Sequence, residues 1–155
     1  MRARFVFEEI DFQRGRDPKN VMGIGTAEQI RKEFDEDYSL FFFDGSRPKE
    51  GMCFLYIPHT SASLVVSENY DPTAKIDLEE FMERLVPENQ PWFHHTFEGS
   101  DDSPSHMRAM LTHTSLSIPI DKNKLSLGTW QGIYLFEHRT SSHQRKVLIR
   151  CLNTE

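Results

Sequence analysis

Apolar residues in this chain come in runs the length of a β-strand, and no other feature narrows the possible folds as much. Met52 to Ile57 is a short apolar run between Gly51 and Pro58, which suits a buried strand. Arg4 to Ile10 and Ser63 to Ser67 read as two more strands. Leu116, Ile118 and Ile120 alternate with polar residues, as in a strand buried on one face. Asp121 to Lys124 supplies a turn, and Leu125 to Glu137 and Lys146 to Leu152 give further strands. No run approaches the ~18 apolar residues that span a bilayer. The basic start Met1-Arg2-Ala3-Arg4-Phe5 has no apolar signal stretch behind it, so no membrane partner is expected.

Helical periodicity interrupts the strands in three places. Thr26 can cap a helix, with Gln29 completing a weak capping box and Ala27, Ile30 and Phe34 on one face. Asp71 is an N-cap candidate and Pro72 suits the first helical position. Ala74, Leu78, Phe81, Met82 and Leu85 then form an apolar stripe, and Pro87 stops it. A shorter helix repeats the logic, with Ser103 as cap, Pro104 in first position, and Met107, Met110 and Leu111 facing inward. Strands and helices mix without strict βαβ repetition. The expected fold is therefore α+β, with a mixed or antiparallel sheet and about three helices. The length of 155 residues fits a single domain over residues 1–155, and 12 phenylalanines supply bulk for its core. The polar loops Gln13 to Asn20 and Asp44 to Glu50 are too short to be linkers.

A formal net charge of −6 argues against a nucleic-acid partner, which would need a basic face. The most basic cluster, Arg139 to Arg150 with Arg145 and Lys146, reads as a solvated turn and strand edge, or as a holder of a small anion. Cys53 and Cys151 sit in apolar strand-like runs. Buried free thiols are expected, and with them a reducing, cytoplasmic setting. The G-x-S-x-G elbow, Walker A loop, H-E-x-x-H helix and G-x-G-x-x-G fingerprint are all missing from the sequence.

The chain has 7 histidines, and context sorts them. His59 follows a strand and Pro58 and meets Thr60-Ser61-Ala62-Ser63, which suits either a ligand or a hydrogen-bonded turn. His95 and His106 bracket an acidic loop containing Glu98, Asp101 and Asp102. With Ser103 as cap, His106 would lie in a first helical turn, where the dipole keeps imidazole neutral and fit to bind metal. The same turn would offer free N–H groups to phosphate. An ordinary acidic capping loop fits the spacing as well. Glu68, Asn69 and Asp71 form a second polar cluster, with Glu68 as a base or ligand and Asp71 as a cap. Gly128-Thr129-Trp130-Gln131-Gly132 forms a third, where Trp130 either walls a pocket or fills the core of a bulged strand. His138-Arg139 closes a strand and offers a base or an anion clamp.

In this order the clusters resemble the YjbQ-like family. The matching text is His59-Thr60-Ser61-Ala62-Ser63-Leu64, Glu68-Asn69, Asp71-Pro72-Thr73, Arg84-Leu85-Val86-Pro87, His95, Glu98-Gly99, Asp101-Asp102 and Pro104-Ser105-His106. It ends with Gly128-Thr129-Trp130-Gln131-Gly132-Ile133 and Glu137-His138-Arg139. The resemblance implies a homotrimer of α+β domains with a polar site at the motif histidines. It also implies a divalent metal, zinc or magnesium, and a secondary thiamine-phosphate synthase activity. That reaction joins hydroxymethylpyrimidine diphosphate to thiazole phosphate and releases pyrophosphate. The connection from Asp35 to Glu50 looks longer than is usual in the family, Ser67 and His113 replace a common Asn and Gly, and the usual Gly before a final Glu is missing.

The expected machinery is an enzyme acting on a small phosphorylated metabolite. His59, His95 and His106 would hold the metal and leave coordination positions open. Glu68 and His138 would be catalytic. Thr60, Ser61, Asn69, Asp102, Arg108, Thr129, Trp130, Gln131 and Arg139 would bind substrate, with Asp102 also orienting a ligand histidine and Arg108 and Arg139 neutralising phosphate. The alternatives are a metal-dependent hydrolase and a non-catalytic metal- or metabolite-binding trimer.

Overall fold

The computed structural model describes the backbone of residues 5–14, 50–71, 73–122, 124–141 and 143–153. Within them the order is β1 (Phe5–Arg14), β2 (Glu50–Tyr56), β3 (Ala62–Glu68), α1 (Thr73–Leu85), α2 (Asp102–Leu111), β4 (Ser115–Asp121), β5 (Lys124–Leu125), β6 (Gln131–Glu137) and β7 (His143–Asn153). The fold is α+β, with two helices among the described residues. The helix expected at Thr26, residues 35–49 of the connection to Glu50, and Pro72 lie outside them.

All strand pairings among the described residues are antiparallel. One sheet runs β1-β7-β2-β4-β5, and β3 and β6 form a separate ribbon. β7 is central to the first sheet, pairing with β1 from Phe5↔Leu152 to Arg14↔His143 and with β2 on its other edge. In the ribbon the register runs from Ala62↔Glu137 to Glu68↔Gln131.

Side-chain alternation assembles three layers from these strands. Cys53 and Leu55 of β2, Ile118 and Ile120 of β4, and Val147, Ile149 and Cys151 of β7 face Leu64, Ile133 and Leu135 of the ribbon in one core. The opposite parity of the ribbon, Val65, Tyr134 and Phe136, packs on Leu78 and Met82 of α1. β6 is thus buried on both faces. Cys53 and Cys151 stand opposite each other across β2 and β7, both buried and neither in a disulfide.

Three sequence expectations change. Leu125 to Glu137 is not one strand. Ser126 donates to Pro119 O, Leu127 to Leu125 O and Gln131 to Gly128 O, so residues 126–130 turn the chain from the sheet edge into the ribbon. α2 begins at Asp102, not after Ser103. Asp101 occupies the N-cap position without a side-chain cap bond, and Pro104 lies within the first turn, where its missing N–H has no helical acceptor to lose. The inward face of α2 is Ser105, Arg108 and Ala109, while Met110 and Leu111 are exposed. Likewise Phe81 and Leu85 of α1 face solvent, and its buried contacts fall on Glu79 and Met82.

Candidate metal centre

The first turn of α2 places Asp102 and His106 four residues apart, hence on one helical face. His95 reaches them from the loop that precedes the helix. Its Nε2 lies 2.7 Å from Asp102 Oδ2, and His106 Nε2 lies 3.4 Å from Asp102 Oδ1. One ligand atom from each of the three residues can be chosen so that all lie within 4.8 Å of one another.

The donor set suits a cation. Asp102 is only 1% exposed, and its Oδ2 faces the His95 ring nitrogen. A buried carboxylate is costly without a compensating charge, and a cation set between it and the imidazoles would add one. His106 Nδ1 lies 2.9 Å from Thr60 O, and a carbonyl can only accept. Nδ1 therefore carries a proton, and Nε2 is turned toward Asp102.

Arg139 braces this arrangement. Its guanidinium donates to Asp102 Oδ1 and, at 2.7 Å, to Glu98 O, and it lies 3.3 Å from Asp101 Oδ2. Asp101 Oδ2 also accepts the Thr140 N–H at 2.7 Å and the Thr140 hydroxyl at 2.8 Å. Burial pushes the Asp101 carboxyl up, but the Thr140 bonds and the Arg139 charge outweigh it and hold the group below the usual carboxylate range. One guanidinium faces the carboxylates of Glu98, Asp101 and Asp102, which leaves an excess of negative charge for a divalent cation to balance.

An open cleft of about 730 Å³ lies beside His106, with Tyr56, Pro58, His59, Thr60 and Met110 on its walls. His59 lines this cleft, but it is not one of the three clustered residues; Asp102 stands in the place expected for it. His59 Nε2 accepts the Lys146 N–H at 2.8 Å, so its lone pair is committed to the backbone. Burial, then the Arg145 charge, lowers the His59 pKa and favours this neutral form.

The other expected residues separate by position. Glu68, Asn69, Thr129, Trp130 and Gln131 gather at the far end of the ribbon, six residues along β3 from Ala62, or ~20 Å at strand rise. There Glu68 Oε1 accepts the N–H groups of Tyr70 (2.5 Å) and Asp71 (3.1 Å), shaping the turn into α1. Asn69 Oδ1 accepts the Tyr134 hydroxyl, whose pKa is pushed up to about 12 by burial and then by the Glu68 charge. Gln131 Oε1 accepts the Gly128 N–H. Trp130 is 62% exposed, so it does not fill the core.

Near the cluster, Thr60 lines the cleft and Ser61 is buried. His138 is 1% exposed, 2.9 Å from Ser63 Oγ and packed on Phe136. That is a core position closed to a substrate, against the catalytic role expected for it. Arg108 is buried and donates to Val86 O, and Arg139 is committed to the acidic loop, so neither is placed as a phosphate clamp. The basic run from Arg139 is only partly a solvated edge: Lys146 and Arg150 are exposed, while Arg139 and Arg145 are buried. Arg145 is buried in an ion pair with Glu137, a pair that motif reasoning passed over.

A family profile described as UPF0047 protein YjbQ-like matches residues 41–154. A UPF0047 protein of Synechocystis is 50% identical over 101 residues, covering 65% of this chain and 69% of that protein. The UPF0047 protein YjbQ of Escherichia coli O157:H7 is 44% identical over 105 residues, 68% of this chain and 75% of its own. Among solved structures, a conserved hypothetical protein of Thermus thermophilus superposes with a TM-score of 0.67 at 28% identity, covering 91% of this chain and 98% of that one. A YbjQ-like protein of unknown function from Sulfolobus solfataricus shares the fold, with a TM-score of 0.75 at 18% identity over 98% and 99% of the two chains.

Proposed function

The chain belongs to the UPF0047 YjbQ-like family, and from the geometry of its His–Asp–His cluster we propose that it is a metal-dependent enzyme whose divalent cation is held by His95, Asp102 and His106. The observation that carries this reading is the buried Asp102 carboxylate, whose two oxygens lie 2.7 Å from His95 Nε2 and 3.4 Å from His106 Nε2. Two imidazoles and a carboxylate are a donor set that zinc and other first-row divalent ions accept while positions stay open for a substrate. A cation there supplies Lewis-acid polarisation of a substrate oxygen and lowers the pKa of a nearby water.

The chain's own residues do the rest. The Thr60 carbonyl holds the His106 proton on Nδ1. Arg139 holds Asp102 in orientation through a charge-assisted hydrogen bond. His59, with Nε2 committed to Lys146, retains its Nδ1–H as the ring's donor in a cleft wall. A small phosphorylated metabolite is the proposed substrate, and the cleft beside His106 would receive its body.

Hydrolysis of such a substrate asks less of this site than the joining of hydroxymethylpyrimidine diphosphate to thiazole phosphate. The joining reaction must neutralise phosphate on both substrates, and Arg108 and Arg139 are buried against interior groups. The working assembly we propose is a homotrimer in the cytoplasm. Exposed Phe97, Met110 and Trp130 support association, and the two buried thiols, neither in a disulfide, suit a reducing compartment. No helix among the described residues is long and apolar enough to cross a membrane.

The test is metal content and turnover of the purified chain, with and without chelator, on phosphate esters and on the two thiamine precursors. Stoichiometric metal that Asp102→Ala abolishes, with chelator-sensitive release of phosphate, supports the reading. Chelator-insensitive turnover sinks it. Stoichiometric metal without any turnover makes this a binding protein instead.

A further inference from the structure

Two consecutive residues of β7 hold the segment that orients the metal centre. The Arg145 guanidinium donates to Ser61 O at 3.2 Å and to Ser61 Oγ at 2.9 Å. Lys146 donates its backbone N–H to His59 Nε2 at 2.8 Å. Both neighbours of Thr60 are therefore tied to one strand, and the carbonyl between them meets His106 Nδ1 at 2.9 Å.

Arg145 is fixed in turn by Glu137. Its Nε donates to Oε2 at 2.6 Å and its Nη2 to Oε1 at 2.5 Å, with the side chains only 5% and 1% exposed. Glu137 Oε1 also accepts the Arg139 N–H at 2.9 Å, and the Arg139 guanidinium holds Asp102. One buried ion pair thus stands behind two of the three ligand residues.

Stability alone does not call for the pair. Arg145 shares the strand parity of Val147, Ile149 and Cys151, and Glu137 that of Ile133 and Leu135, so both occupy positions where apolar side chains would extend the core. Replacing a buried ion pair by apolar residues of similar volume is often neutral or stabilising. We infer that Glu137 and Arg145 are positioning residues of the metal centre: they fix the Thr60 carbonyl, which keeps His106 Nε2 free for a cation, and they seat Arg139 against Asp102. For the cation this rests on the metal reading above; for the ring proton it stands alone.

The test is the double variant Glu137→Met, Arg145→Met in the full chain, which removes the pair without leaving a buried charge. Folding is followed by thermal melting, the His106 proton by ring ¹⁵N–¹H correlation spectra without metal, and zinc affinity by competition with a chromophoric chelator. In the native chain the His106 proton should reside on Nδ1. In the folded variant it should distribute over both nitrogens, and zinc should bind about 10- to 100-fold more weakly, the usual cost of losing an outer support. A folded variant that keeps a single Nδ1–H form and native zinc affinity overturns the proposal. If the native chain binds no zinc, the metal reading fails while the ring spectra still decide the positioning. If the double variant does not fold, Arg145→Lys decides by the same spectra, because an ammonium lacks the fork that spans Ser61 and Glu137 together.

Discussion

His106 shows how a local pattern can miss the contact that orients a ring. The sequence suggests a neutral imidazole because a Ser103 cap would put it in the first turn of a helix. The helix starts at Asp102, and the ring is set by a hydrogen bond to Thr60 O, 46 residues away in sequence. No local pattern carries that contact. His59 has a consequence that can be measured. Its pKa is lowered from the ordinary 6.5, first by burial and then by Arg145, so the unfolded chain binds the proton more readily than the folded one. Its contribution to stability is complete above pH 6.5 and is lost as pH falls through that value toward the folded pKa. In urea unfolding, His59→Gln should lose less stability than the native chain between about pH 7.5 and about pH 5.5; an equal loss would contradict the assignment. Gly132 is similarly constrained, because an added Cβ would meet Asn69 Cβ and Cγ at 2.9 Å. Gly132→Ala should cost on the order of 1–3 kcal/mol by chemical denaturation, the usual penalty of overpacking.

At the scale of elements, period-two alternation made most strands legible. β2, β3, β4 and β7 lie within a few residues of their expected places because one or both of their faces are apolar. The Asp71 cap also holds, since its Oδ1 accepts the Thr73 N–H at 2.8 Å. Asp71→Ala should lower stability by about 1 kcal/mol in thermal or urea melts; no change would mean the turn at Glu68 alone sets the start of α1. The break between β5 and β6 was not legible, because Leu125 and Leu127 keep an apolar pattern through the turn between two sheets. Helix faces are the least legible in the sequence. Met110, Leu111, Phe81 and Leu85 fit an apolar stripe by spacing, yet they are exposed. The Glu137–Arg145 pair carried a signal that charge patterning hid: each residue occupies the core-facing parity of its strand.

Across the whole molecule, the expected site residues divide between the two ends of the β3–β6 ribbon. Linear motif order could not reveal this, since Glu68 and Gln131 are cross-strand partners, as are Ala62 and Glu137. The end with Asp102 and His106 holds the candidate metal centre; the end with Asn69 and Trp130 is a separate polar surface on the same chain. Large exposed apolar side chains, with Phe97 at 98% and Met110 at 77%, are consistent with association. Sedimentation equilibrium should give a mass of three chains, each of 18.1 kDa. A monomer mass at all accessible concentrations would remove the trimer from the account.

The most direct test of the metal centre is anomalous scattering at the zinc absorption edge from crystals grown with zinc. The account predicts one strong peak bounded by His95 Nε2, the Asp102 carboxylate and His106 Nε2. A zinc-loaded crystal with no peak there, or with its peak at His59, would contradict it.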